Sequence, residues 1–284
     1  MARVTISLLG SLEIKLDDQP VTHLITGKGR ALLAYLVIEA VRPHRRETLA
    51  GLLWPDYEER SARANLRNAL YNLRHAIKDR ARSNDSDREQ LYLLVTRETI
   101  QFNPKGNCWV DVAAFNAAIE QSRADSDAVS ALENAVALYA GPFLEGFSLA
   151  DSPAFEDWAL VVREQLEQQA LQALQSLAAY HETGGAYARA REYARRQIAL
   201  APWQEQAHRA SMRLLALSGQ RGAALAQYEA CCQVLAEELG VEPGAETTAL
   251  YEQIRDGEVA PQRPVETTLP GPATATAPPT PVSH

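Results

Sequence analysis

One stretch, residues 61–78 (SARANLRNALYNLRHAIK), constrains the fold of this chain more than any other, because it carries two stripes at once. Ala62, Leu66, Ala69, Leu70, Leu73 and Ile77 recur at the spacing of a single apolar helical face. Arg60, Arg63, Arg67, Arg74 and Lys78 fall on a neighbouring face, with Tyr71 among them. At ~100° per residue the apolar set spans roughly 120° of the helical wheel and the basic set about 60°, side by side. Such a helix docks on a core with one side and presents guanidinium groups along the edge, a geometry suited to a DNA groove. The bland alternative is a solvated charged face, the commoner fate of a charge run.

The order of elements around this helix favours the first reading. Residues 3–9 and 11–16 alternate apolar and polar around Gly10, which predicts a β-hairpin or two short strands. A turn follows at 17–19, and 21–25 reads as a further short strand. KGRALLAYLVIEA (28–40) is a strongly apolar helix, and RETLAGLL (46–53) a short second one. The second helix stops at Trp54-Pro55, since a residue preceding proline is pushed out of helical geometry. After the striped helix comes a charged loop at 79–90. Two β-rich runs, 91–95 and 99–102, then flank Thr96-Arg97-Glu98, a closing hairpin. Small sheet, three helices, hairpin: this is the layout of an α+β winged helix-turn-helix with a hairpin wing.

Trp109-Val110-Asp111 marks a change of pattern. Beyond it the periodicity predicts helices over 112–120, 127–140, 153–181, 187–200, 204–218, 221–239 and 247–255. Gly185-Ala186-Tyr187 with Ala190 and Ala194 has a counterpart 34 residues on, Gly219-Gln220-Arg221 with Ala224 and Tyr228. A helix–turn–helix unit of that period, with small residues at the helix contact, is the tetratricopeptide signature. The expected division is therefore a winged helix at 1–107, an all-α tetratricopeptide-like domain at 108–257, and a Pro/Thr/Ala-rich tail or linker at 258–284. The last segment has too few large apolar residues to offset its ordering entropy.

The net charge of −8 speaks against a nucleic-acid partner only if taken whole. Residues 1–110 hold 17 Lys and Arg against 13 Asp and Glu, leaving 11 against 23 in the remainder. The attraction for phosphate is thus local to the first half. Cys108, Cys231 and Cys232 read as buried small hydrophobes in a reducing cytosol. No apolar run is long enough for a membrane span. Gly27-Lys28-Gly29 lacks the full frame of a phosphate loop, and no nucleophile, metal or dinucleotide motif is present. The expectation is a cytoplasmic, nucleoid-associated protein that is not an enzyme and uses no cofactor or metal.

Within the striped helix, Arg63 and Arg67 lie nearer the N-terminal end that enters a major groove, and arginine pairs bidentately with guanine. Arg74 and Lys78 suit phosphate, and Tyr71 joins the same surface. Asn65, Asn68 and Asn72 face away from the apolar stripe, either reading adenine or simply solvated. Arg97, at the hairpin tip, is placed to reach the minor groove or backbone. Lys28 and Arg30 open the first helix, where backbone amides also meet phosphate.

These residues carry a resemblance. VTISLLGSLEI, KGRALLAYLV, RETLAGLLWPD and SARANLRNALYNLRHAI, followed by WVDVAAF, ALYAGPFLEGF, DWALVVREQL and ALAQYEACCQVLAEELGVEPGAETTALYEQI, resemble the Streptomyces antibiotic regulatory protein (SARP) type of transcriptional activator over residues 1–256. That family joins an OmpR-type winged helix to a bacterial transcriptional activator domain of tetratricopeptide-like helices. The resemblance implies binding to double-stranded promoter DNA and contact with RNA polymerase. By motif match Arg63, Asn65, Arg67, Asn68 and Arg74 take the recognition-helix role and Thr96-Arg97-Glu98 the wing. The loop 55–60, with acidic Asp56, Glu58 and Glu59, takes the polymerase-facing position. The helical half is expected to mediate dimerisation or protein contacts, a homodimer being open. The competing reading is a tetratricopeptide-type adaptor whose winged helix binds protein rather than DNA.

Overall fold

The computed structural model describes residues 3–79, 91–124 and 127–259. The expected tail, apart from residues 258 and 259, and the expected charged loop, apart from Asp79, lie outside the described residues. Strands β1 (Val4–Ser7) and β2 (Glu13–Leu16) pair antiparallel, Val4 opposite Leu16 and Ser7 opposite Glu13. Their alternation buries Val4, Ile6, Ile14 and Leu16 on one face. Asp17 and Asp18 both take positive φ (51° and 62°), the two-residue turn whose twist matches its strands, and lead into β3 (Gln19–Pro20). The strand expected at 21–25 is a 3₁₀ turn, Thr22–Leu24. There the Thr22 hydroxyl accepts from the Ile14 amide at 2.8 Å, taking the place a strand backbone would occupy.

Helix α1 (Gly27–Ile38) is capped by the Thr26 side chain, which accepts from the Gly29 amide. A two-residue strand β4 (His44–Arg45) precedes α2 (Arg46–Leu53), and α3 (Glu59–Ala76) follows. Strands β5 (Leu93–Val95) and β6 (Thr99–Phe102) form the expected hairpin, and β4 pairs with β6 on its far side. Strand β7 (Cys108–Val110) runs parallel to β1 and completes a four-stranded sheet of order β3-β2-β1-β7.

Ten α-helices are described, the later ones being α4 (Asp111–Ala124), α5 (Ala128–Leu138), α6 (Pro153–Thr183), α7 (Tyr187–Leu200), α8 (Glu205–Leu217), α9 (Arg221–Glu238) and α10 (Ala245–Asp256). The 34-residue repeat is physical. Gly185 and Gly219 stand at φ +72° and +75°, each just past a helix. The amide after each reaches back to a carbonyl five residues earlier, Ala186 to His181 and Gln220 to Leu215, both at 2.8 Å. Ala190 and Ala224 are wholly buried at the start of α7 and α9. No helix among the described residues is long and apolar enough to cross a membrane.

The two halves share one core. It runs without interruption from Val4 to Tyr193, and two smaller clusters lie within the α7–α10 repeats. The border expected at 107/108 falls immediately before β7, which is a strand of the N-terminal sheet. The carboxylate of buried Asp111, at the start of α4, accepts from the amides of Leu8 (2.7 Å), Leu9 (2.8 Å) and Val112 (2.7 Å). The segment between α5 and α6 also docks on the first sheet. Gly10 donates to the Pro142 carbonyl (3.0 Å), Leu144 to Leu8 (2.9 Å) and Glu145 to Gly10 (3.0 Å), with Phe143 fully buried.

Candidate nucleic-acid interface

Helix α3 buries Ala62, Leu66, Ala69, Leu70, Leu73 and Ala76 against the winged-helix core, as the apolar stripe requires. It starts two residues before the expected Ser61 and ends two before Lys78. Lys78 is therefore corrected from a helical residue to a left-handed one, at φ +54°. The Lys78 amide bonds the His75 carbonyl and the Asp79 amide the Arg74 carbonyl (2.8 Å), the helix ending usually built on glycine. Asp79 follows, buried, with its carboxylate accepting from the Tyr92 amide at 2.9 Å and from Arg74 Nε at 3.1 Å. Burial pushes the Asp79 carboxyl above its ordinary range, against the pull of the Tyr92 amide and the Arg74 guanidinium. Arg74 thus ties the helix end to the hairpin.

The wing is built by Thr96. Its hydroxyl accepts from the amides of Glu98 (3.2 Å) and Thr99 (2.9 Å), closing the turn between β5 and β6. Arg46 holds that turn to α2: its amide donates to the Glu98 carbonyl (2.9 Å), and its guanidinium to the Thr96 carbonyl through Nε (3.1 Å) and Nη2 (3.0 Å). Helix α3, helix α2 and the hairpin are so locked into one surface.

A cleft of about 590 Å³ opens between them, lined by Arg45, Arg46, Glu47, Arg63, Leu66, Arg67, Arg97 and Glu98. A second, of about 620 Å³, adjoins it between α3 and β5, and Arg46 and Arg67 line both. Tyr71, 69% exposed, and Arg74 line the second. Five arginines around two carboxylates make the first cleft cationic. Burial, and then the neighbouring Arg67 charge, push the Arg46 guanidinium below its ordinary value. Arg63 donates to Glu47 at 2.6 Å and to Glu59 one helical turn earlier. Arg67 and Arg97, both exposed, have no ion pair among the described residues.

The expected residues separate into three groups. Arg63, Arg67 and Arg97 converge on the first cleft, with Tyr71 and Arg74 beside it. Asn68 and Asn72 are exposed on α3 and Asn65 is half-buried, none of them lining either cleft. Lys28 and Arg30 are elsewhere, and their assignment to phosphate is corrected. Lys28 Nζ donates to the Leu53 carbonyl (2.5 Å) and to the Ser152 hydroxyl, and pairs with Asp151 at 2.8 Å. The Arg30 guanidinium lies 5.2 Å from the centroid of the Phe147 ring. Lys28 is spent joining α1 to the helical half and Arg30 lies against Phe147 of the same segment, because Asp151, Ser152 and Phe147 fold back over the start of that helix. In the acidic loop, Asp56 and Glu58 are exposed, whereas Glu59 is the first residue of α3 and engages Arg63. Arg45 and Arg46 were not anticipated. The adjacent arginines directly ahead of the apolar spacing of α2 were the available signal, hidden because β4 is only two residues long.

Comparison with known proteins is decisive for the second half. The model of the bacterial transcriptional activator domain matches residues 110–255, slightly more than half of the chain. The chain belongs to that family. Transcriptional regulatory protein EmbR of Mycobacterium tuberculosis and of Mycobacterium bovis is 37% identical over 75 residues, 26% of this chain and 19% of the relative. The aligned stretch thus spans about a fifth of the curated relatives' length. The solved structure of Mycobacterium tuberculosis EmbR in complex with a low-affinity phosphopeptide is similar over 93% of this chain and 67% of that one, with a TM-score of 0.67 and 25% identity. These matches bear out the SARP-type resemblance and the architecture of a winged helix followed by an all-α domain. The chain is a member of a transcriptional regulator family.

Proposed function

We propose that this chain binds promoter DNA in a sequence-specific way and activates transcription, without enzymatic activity, in the cytoplasm at the nucleoid. Residues 1–107 supply the DNA-binding surface and residues 108–257 the contacts to protein. The observation that carries the reading is the convergence of Arg45, Arg46, Arg63, Arg67 and Arg97, from β4, α2, α3 and the wing, around one cleft. An arginine is the side chain best suited to bidentate pairing with phosphate or guanine. Helix α3 lies in the major groove, Arg67 reads a base, and Arg97 reaches the adjacent backbone from the wing. Arg74, fixed by Asp79, positions the C-terminal end of α3. Asp56 and Glu58 stay clear of DNA and offer their charge to RNA polymerase.

Because both halves share a core, the full chain is the unit to test. Genome-wide mapping of bound sites, followed by affinity measurements on a recovered fragment at several salt concentrations, tests the proposal. It expects discrete sites and an affinity falling linearly with the logarithm of salt. Binding that is absent at low salt excludes DNA as the partner and leaves the protein adaptor.

A further inference from the structure

Arg63 stands apart from the other cleft arginines. Glu47, on the first turn of α2, and Glu59, on the first turn of α3, both take its guanidinium, and all three side chains are exposed, at 47% for Arg63, 63% for Glu47 and 72% for Glu59. Arg67, one turn further along α3, lines the same cleft, has no ion pair among the described residues, and lies close enough to Arg46 for the two charges to repel. One arginine is open and its neighbour is doubly satisfied. Resting on the DNA-binding reading above, we propose that Glu47 and Glu59 form a carboxylate latch on Arg63 that suppresses sequence-independent binding to DNA.

The magnitudes make the latch selective. Exposed ion pairs each shift an equilibrium by less than about fivefold. A bidentate arginine–guanine pair is worth about five- to 150-fold against a wrong base. The two pairs together amount to less than about 25-fold, so a base-edge contact in the upper part of its range displaces both carboxylates, whereas a phosphate met at an arbitrary register competes with them on nearly even terms and gains little. The latch also removes one cation from the field that attracts any duplex, and each such cation contributes about 0.9 to the salt slope. Glu47 and Glu59 are specificity-determining residues, acting by withholding a contact rather than making one.

The test compares the full chain with its Glu47→Gln/Glu59→Gln variant on a mixed-sequence 30-base-pair duplex, by fluorescence anisotropy from 50 to 300 mM salt. The variant is expected to bind several-fold more tightly at low salt, with a slope steeper by about 1. Adding Arg63→Ala to that variant is expected to abolish the gain. This third protein separates the latch from the loss of two acidic residues at helix N-termini, which persists there. An unchanged slope and affinity in the glutamine variant, with wild-type binding still salt-dependent, overturns the latch alone. A gain that survives Arg63→Ala also overturns it. Absence of salt-dependent binding in every protein overturns the DNA reading with it.

Discussion

Lys28 and Arg67 are both basic side chains on helices of the basic half, yet one is consumed inside the molecule and the other stays exposed. Lys28 is surrounded by a carbonyl, a hydroxyl and a carboxylate, and its side chain is only 16% exposed. Arg67 sits on an exposed edge and meets another arginine. The difference lies in what folds over each helix. The α5–α6 segment brings Asp151 and Ser152 over the start of α1, and nothing among the described residues covers the α3 edge. A cation becomes available to an external phosphate only where the fold withholds an internal acceptor, so local charge alone does not identify an interface.

That contrast can be broken from either side. The largest effect is expected at the joint itself. Asp111→Ala removes the acceptor of three backbone amides, two of them at buried Leu8 and Leu9 just after β1, and should lower stability by roughly 3 kcal/mol or more, read by urea denaturation. Lys28→Ala should cost about 2 kcal/mol in the same measurement and leave the salt slope of DNA binding unchanged. A shallower slope would return Lys28 to the interface. The Lys28 hydrogen bond, assisted by its charge, holds the Asp151 carboxyl below its usual range. A lowered carboxyl stabilises fully above the ordinary carboxylate pKa and loses that contribution as pH falls through the lowered value. The acid limb of the stability profile should therefore flatten in Lys28→Ala.

Arg67→Ala is the mirror experiment. It should leave stability within about 0.5 kcal/mol, since the side chain packs on nothing it needs. It should weaken specific DNA binding by about 1–3 kcal/mol and relax the preference at one base position. Unchanged affinity would remove Arg67 from the reading role. The smallest effect belongs to Lys78→Gly, which relieves a left-handed residue and should raise stability by up to about 1 kcal/mol. A loss of stability would show that the Lys78 side chain makes a compensating interaction.

Much of this fold was legible because its elements are set by local periodicity. The bounds of α2, α7 and β6 coincide with those read from the apolar spacing, and α3 differs by two residues at each end. What escaped was set by distant partners. Strand β7 exists because Val4–Ile6 offers it an edge more than a hundred residues earlier. Strand β4 exists because β6 does. The same limit governed the interface. That Arg63, Arg67 and Arg97 share one cleft is legible because a helical stripe and a hairpin tip are local patterns. The role of Lys28 is not legible because two of its three acceptors lie 123 and 124 positions downstream. The arginine pair 45–46 is visible ahead of α2, but the role of Arg46 depends on the Thr96 carbonyl fifty residues away.

The docked segment around Phe143 has a consequence for how such regulators are recombined. By covalent connection it belongs to the helical half, and by hydrogen bonding to Leu8 and Gly10 it belongs to the first sheet. A chimaera cut at 107 would carry a winged helix lacking β7, the cap at Asp111 and the plug at Phe143, three pieces written into the neighbouring gene segment. An exchange that keeps the shared core whole has to cut beyond Tyr193, well past the point where the amino-acid composition changes.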